Sequence, residues 1–434
     1  MTEKNSGKIQ SISSRKLPVR IALGLLVIFA IAFGWFTVRW QLGNMLAELT
    51  LPTEPNAGQI ADLALSFSPG DPLAKWLKTN TREDVFNSDN IQNFLLDQQD
   101  VVRSSPNNFT WWVELGRAYE QAEQPESAEK AFLRAIELAP AYTYPHWQIG
   151  NFYLRNKQPE KAFTELKKAA ENNPIYRDQV FSIAWDYYEQ NTDQLEKIAG
   201  DSSEVRTGLA KFYAMKGRAE ESLRMWNTLS ADEKQKNETV AKIIARSLYD
   251  AQFYRQSIEF VRDLKIEPKA KHETVQNEGF EDKIDSPDKA LFGWRIARTE
   301  KMDVKTDSTQ SHDGDKSLRV VFDGYDKAGL YNIYQVVTVD RSAKYQLSFW
   351  LKTKELKSAG MPVLEIINAK SNKIISSSDS FPTGTNDWKN ITVNFTAPEE
   401  TEAVIIRTSR AFCGDGCPLI GTFWYDDFQL RKIE

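Results

Sequence analysis

"WWVELGRAYEQAEQPESAEKAFLRAIELAP", residues 111–140, decides how this chain is read. Trp112, Leu115, Gly116, Tyr119, Ala128, Phe132 and Ala135 fall at helical spacing on either side of a polar break, "EQPE", and Pro140 closes the stretch. That is the pattern of two amphipathic helices joined by a short turn. Moving on by about 34 residues returns Ile149, Gly150, Tyr153, Ala162, Leu166, Ala169 and Pro174 in the same order. A repeat of this length is one helical hairpin, whose apolar face only a neighbouring hairpin can cover.

These positions resemble the tetratricopeptide repeat, specifically over residues 109–175. Looser matches extend it: "LALSFSPGDPLAKWL" at 63–77, Ile183, Ala184 and Tyr187, then Leu209, Ala210 and Tyr213, and "IARSLYDAQFYRQSIEFV" at 244–261. The reading is an α-solenoid over 58–266. The resemblance implies a concave groove for a peptide or protein partner, with the aromatic residues mostly serving packing. His146 reads as a surface or packing residue rather than a ligand.

Ahead of this region, "IALGLLVIFAIAFGWFTV" at 21–38 carries no charge. As a helix it would span about 27 Å, close to a bilayer's hydrocarbon core. Lys4, Lys8, Arg15, Lys16 and Arg20 precede it against the single acid Glu3, and acids follow it. The bias predicts a cytoplasmic basic tail over 1–20, a signal anchor over 21–40 and a linker over 41–57, with the rest of the chain exported. A cleaved signal peptide, with "AIA" at 30–32 as its site, is the alternative. The plan reads as a single-pass protein of a bacterial inner membrane facing the periplasm.

Net charge is −5 and the sequence pI about 5.6, with basic residues dispersed after Arg20, so nucleic acid is not an expected partner. The only cysteines, Cys413 and Cys417 in "FCGDGCP", read as a local disulfide in an oxidising compartment; a metal or redox pair is the weaker reading, because no second pair or histidine stands nearby.

From about residue 270 the period changes. "SLRVVF", "YNIYQVVTV", "KYQLSFWLKT", "PVLEIINA", "WKNITVNFTA", "EAVIIRTSR" and "TFWYDDFQL" are short β-branched or aromatic runs separated by turns such as "SHDGDK" and "PTGTND". Such runs predict an all-β sandwich. The fold class expected is therefore multidomain α + β, with a linker over 267–274 and the sandwich over 275–434.

The order "NEGFED", "GW", "SHDGDKSLRV", "KYQLSFWLK", "WKNITVNFTAP" and "WYDDFQL" resembles the family four/nine carbohydrate-binding modules, which are jelly rolls of the galactose-binding-like group. The resemblance implies a non-catalytic module and a structural calcium at Glu281 and Asp426, with main-chain oxygens of the "HDGDK" turn. Asp427 should point the other way, because neighbours in a strand face opposite sides. A sugar site needs aromatic faces and polar anchors, for which Trp294, Tyr331, Tyr334, Trp350 and Arg407 are the candidates. Alternation in "KYQLSFWLK" puts Tyr345, Leu347 and Phe349 on one face and Trp350 on the other.

The sequence carries no G-x-S-x-G, H-E-x-x-H or P-loop, and its three histidines are isolated, so no enzyme is expected. The function expected is a membrane-anchored adaptor in polysaccharide assembly or export, binding a protein through the repeats and a glycan through the jelly roll. The alternative is a purely protein-binding envelope scaffold in which the jelly roll is structural.

Overall fold

The computed structural model describes residues 17–81, 91–286, 289–414 and 416–434; the basic residues expected at the start of the tail lie outside these. It forms two compact units, residues 1–200 and 201–434.

The first unit is helical: α1 (Leu17–Glu48), α2 (Ala57–Phe67), α3 (Pro72–Asn80), α4 (Ile91–Ser104), α5 (Phe109–Gln121), α6 (Pro125–Leu138), α7 (Thr143–Arg155), α8 (Pro159–Asn172), α9 (Pro174–Tyr187) and α10 (Thr192–Ala199). The start signals are local. Pro125, Pro159 and Pro174 each occupy a first helical turn, where a missing N–H costs nothing, and Asn108 and Asn173 cap α5 and α9 by accepting main-chain N–H bonds. The hairpin turns pass through one left-handed residue each, Glu123 and Lys157.

Small residues set the distance between paired helices. A Cβ on Gly116 would stand 2.8 Å from the Phe132 ring, and one on Gly150 would stand 2.7 Å from Leu166, so each glycine admits the large residue of its partner helix. Val113, Ala128, Phe132, Ala135, Ile149, Phe152, Tyr153 and Ala162 then form one core spanning both hairpins, and Leu115 and Ala169 are buried beside it. Trp112 and Tyr119 pack at its margin, while Pro140 and Pro174 lie at the surface ends of the hairpins. His146 is buried and bonded to Glu165 and to the Pro140 carbonyl.

The run 21–38 lies inside α1 and is exposed along its length. Residues 41–48, expected within a linker, instead continue α1, because Gly43 and Ala47 are buried against the next hairpin.

The second unit opens with α11 (Ser203–Met215), α12 (Ala219–Asn227), α13 (Ala231–Lys236), α14 (Glu238–Asp250) and α15 (Tyr254–Asp263). Two hairpins here keep the repeat geometry with altered residues. Ala210 and Ala245 stand where Gly116 and Gly150 stood, and Ser222 and Ser257 replace Ala128 and Ala162, each donating its hydroxyl to the facing alanine carbonyl at 2.7 and 2.9 Å.

The sandwich follows: β1 (Arg295–Ile296), β2 (Met302–Asp307), β3 (Ser317–Tyr325), β4 (Ile333–Thr338), β5 (Lys344–Lys357), β6 (Pro362–Asn368), β7 (Ile374–Ser377), β8 (Gly384–Thr396), β9 (Ala403–Arg410) and β10 (Leu419–Ile433). One antiparallel sheet runs β1-β4-β9-β6-β7 and the other β2-β3-β10-β5-β8. Their inner faces enclose a single core that includes Leu318, Val320, Tyr345, Leu347, Phe349, Leu364, Ile366, Val404, Ile406, Phe423, Tyr425 and Phe428.

Strand β10 explains the "YDDF" stretch. Phe423 and Tyr425 alternate inward, but strict alternation would turn Phe428 outward. Asp427 adopts φ +47° at a bulge between Asp426 and Gln429, which adds one residue and brings Phe428 back into the core. Cys413 and Cys417 form a disulfide, as expected.

Residues 267–274, expected as a linker, are tied to the sandwich. The Glu267 carboxylate accepts the N–H groups of Leu291 and Phe292, Ala270 is buried, and His272 lies 3.0 Å from the Thr338 hydroxyl and 3.2 Å from Glu259.

Candidate functional site

Cross-strand pairing puts one row of polar side chains across the outer face of the first sheet. Arg295 on β1 is paired with Tyr334 on β4, Tyr334 with Arg407 on β9, Arg407 with Glu365 on β6, and Glu365 with Ser377 on β7. Residues directly opposite share a face, and the inward neighbours Ile333, Ile406, Leu364 and Ile366 belong to the core, so this row faces out.

The row is electrostatically organised. Arg407 donates Nη2–H and Nε–H to Glu365 Oε2 at 2.7 and 3.2 Å, and its guanidinium carbon lies 4.0 Å from the Tyr331 ring centroid. The ion pair is largely shielded, with side-chain exposures of 18% and 11%, whereas Tyr331 is 53% exposed. An Arg sandwiched between a carboxylate and an aromatic ring is held in place, leaving its remaining N–H groups as oriented donors. This set can offer an aromatic surface, donors and an acceptor to a polyhydroxylated ligand.

One end of the same face is occupied by helices of the unit. Tyr249 of α14 packs edge-on to Phe292 at 5.3 Å and bonds the Arg295 side chain; burial pushes its phenol pKa up. Arg255 pairs with Asp340 at 2.6 Å and its N–H reaches Glu402, while Gln252 donates to the Ala369 carbonyl.

The expected sugar contacts therefore divide. Tyr331, Tyr334 and Arg407 come together on this face. Trp294 does not join them: it is 3% exposed, its ring lies 5.3 Å from Phe280 and 5.0 Å from Phe428, and its indole N–H bonds the Asn277 carbonyl, so it is a core residue. Trp350 turns away from the core, as its alternation required, but onto the opposite sheet, where it pairs with Asp426 and Asn390. There the His312 ring stacks on it at 3.7 Å and 14°, with Trp388 nearby.

Sequence reasoning missed Glu365 and Arg295. Glu365 carried a usable signal as the lone acid in the apolar run "PVLEIIN". Tyr249 carried none, because it comes from a different segment.

The expected metal residues do converge. A Cβ on Gly279 would stand 3.5 Å from Asp426 Oδ1 and 3.8 Å from Glu281 Cγ. Asp426 is fully buried and accepts main-chain N–H bonds from His312, Asp313 and Asp427; burial pushes its carboxyl pKa up. Glu281 accepts from the N–H groups of Asp315 and Lys316, and the Lys316 ammonium bonds the Glu281 carbonyl. No group of three acidic, histidine or cysteine side chains gathers among the described residues. The main-chain groups that the structure places on the two carboxylates are N–H donors, from His312, Asp313 and Asp427 to Asp426 and from Asp315 and Lys316 to Glu281.

Compared with known proteins, residues 109–142 match the tetratricopeptide repeat family and residues 272–409 the family described as carbohydrate binding domain. Tetratricopeptide repeat protein 37 of Xenopus laevis is 31% identical over 86 residues, which are 20% of this chain; the match spans only 5% of that relative's length. Among solved structures, MamA (residues 41 to the end) from Desulfovibrio magneticus RS-1 is 24% identical, covering 31% of this chain and 72% of its own, with a TM-score of 0.25. A CBM4 structure is 16% identical, covering 37% and 99%, with a TM-score of 0.27. TmCBM61 in complex with β-1,4-galactotriose is 21% identical, covering 36% and 97%, with a TM-score of 0.26. The two segments thus match a tetratricopeptide repeat and a carbohydrate binding domain, both non-catalytic kinds of module.

Proposed function

We propose that this protein is a membrane-anchored periplasmic adaptor that holds a protein partner on its helical repeats and a glycan on its β-sandwich, acting in cell-surface polysaccharide assembly or export. The row of Tyr334, Arg407 and Glu365 with half-exposed Tyr331 carries this reading, since it pairs an aromatic surface with fixed polar groups. The family match over 272–409 supports it. The exposed apolar helix α1 supports the anchor in a bacterial inner membrane, with the N-terminus cytoplasmic. Calcium at Glu281 and Asp426 is a structural element of the proposal, offsetting a buried carboxylate that no side-chain cation pairs with among the described residues.

The test is a glycan array, including the host's own surface polysaccharide, probed with the full chain in detergent. Binding that Arg407→Ala abolishes establishes the glycan arm, and its loss in chelator with recovery in calcium establishes the ion. No bound glycan under either condition removes that arm.

A second reading has its own observation. The bonds from Arg255, Gln252 and His272 to the sandwich support a brace, in which the β module serves a purely protein-binding scaffold. Capture of a partner subunit that is unaffected by Tyr334→Ala would favour the brace.

A further inference from the structure

Helix α1 does not end where its apolar stretch ends. The uncharged run stops at Val38, and the helix continues to Glu48 without a break. Beyond that point it is packed: Ala47 shares a core with Ala57, Ala61, Ala64, Ala74 and Leu77 of α2 and α3. A Cβ on Gly43 would stand 2.7 Å from both the Ala64 carbonyl and the Ser68 Cβ, so the two helices touch through their backbones.

The pairing is antiparallel, so the C-terminal end of α2 points back toward the apolar run. Arg39, the first residue after that run, donates to the Ser66 carbonyl at 2.6 Å, and its guanidinium carbon lies 6.0 Å from the Phe67 ring centroid. Asn44 donates to Asp71 at 3.0 Å, and buried Asp71 in turn caps α3 through the Ala74 N–H. The turn 66–71 is therefore fixed beside residues 39–44 of α1.

Depth follows from helix geometry. At about 1.5 Å per residue, Arg39 to Asn44 lie about 2–9 Å beyond Val38 along the helix axis. The headgroup layer on each side of a bilayer is about 5–7 Å thick. With Val38 at the hydrocarbon boundary, Ser66, Phe67 and Pro69 fall within that layer. Ser66 and Pro69 are exposed, Phe67 is half-exposed, and Trp40, at the same level of α1, is 47% exposed. Aromatic and arginine side chains suit this depth, where an apolar body meets a polar boundary.

We propose that the α2–α3 turn is a lipid-contact surface, so that the first helical hairpin is docked on the phospholipid headgroups rather than held away from them by a tether. The proposal rests on the reading of α1 as a membrane span.

The test uses the full chain, whose own cysteines are paired, reconstituted into phosphatidylethanolamine–phosphatidylglycerol vesicles with one nitroxide label at a time. Power saturation compares collisions with oxygen, enriched in lipid, and with a water-soluble nickel complex. Labels go on Pro69→Cys and Ser66→Cys in the turn, Ile28→Cys within the apolar run, and Leu133→Cys on exposed α6. The expected result is an oxygen-dominated Ile28 label, a nickel-accessible Leu133 label, and turn labels shielded from nickel several-fold relative to Leu133. Turn labels as accessible as Leu133, with Ile28 in lipid, overturn the docking and leave the anchor standing. An Ile28 label as nickel-accessible as Leu133 overturns both.

Discussion

The two outer faces of the sandwich hold their aromatic residues differently. On the first sheet, Tyr331 is 53% exposed beside an Arg407 that Glu365 holds in place. On the second, His312 covers a face of Trp350, and Trp424, 7% exposed, donates its indole N–H to Asp307 at 2.9 Å. Tryptophan is the larger platform, but a ring already stacked on its own chain has less surface to give a ligand. Tyr331 is the more open ring, which favours the first face for the proposed glycan, whereas Trp350 and Trp388 on the second face are half-buried.

Trp294 is the one expected sugar contact that lies on neither outer face, since it is buried in the core. Trp294→Ala removes a ring packed between Phe280 and Phe428, so it should destabilise the second unit by about 3–5 kcal/mol. Urea unfolding followed by circular dichroism measures this. An unchanged midpoint accompanied by lost glycan binding would put Trp294 back among the ligand contacts. In the helical repeats, Gly116→Val forces methyl groups onto the Phe132 ring and should cost about 1–3 kcal/mol, read in the same way; a neutral result would mean that the hairpin can open without penalty.

These two residues also mark what could be read from sequence. Gly116 was legible because its reason is periodic: Gly150 meets Leu166 as Gly116 meets Phe132, so the spacing itself carried the structure. Trp294 was not. The "GW" motif located a tryptophan in the module, but its burial depends on Phe280 and Phe428, which converge only when the start and end of the sandwich meet. Alternation correctly sent Trp350 out of the core, yet it could not say onto which sheet, since period two describes a strand and not its neighbours. It failed locally at Asp427, where a bulge adds one residue that composition does not reveal. The packed segments at 41–48 and 267–274 escaped notice for a related reason, because polar connecting residues signal a linker only when nothing distant binds them.

Substitutions on the two outer faces should differ in effect. Tyr331→Ala should weaken glycan affinity about tenfold, near 1.4 kcal/mol, while Trp350→Ala leaves it within experimental error. Isothermal titration of both variants with the best array ligand decides this. If Trp350→Ala carries the larger loss, the second sheet is the binding face.

The smallest effect belongs to His146 in the helical repeats. Its Nδ1 lies 2.5 Å from Glu165 Oε2 and its Nε2 lies 3.0 Å from the Pro140 carbonyl, so both ring nitrogens face acceptors. A neutral imidazole can donate to only one of them, and the doubly protonated ring satisfies both. The bond to Glu165 raises the pKa of His146, and burial and the Lys168 ammonium, itself 2.8 Å from Glu165, oppose that rise. A raised folded value means that the charged ring favours the native state. The contribution is complete below the ordinary histidine value of about 6.5 and is lost as pH climbs through the folded value. With Lys168 already sharing the carboxylate, the loss should be about 1 kcal/mol. Thermal midpoints measured across this range should fall for the wild-type chain and fall less for His146→Gln; parallel slopes would show that the imidazole stays neutral between Glu165 and Pro140.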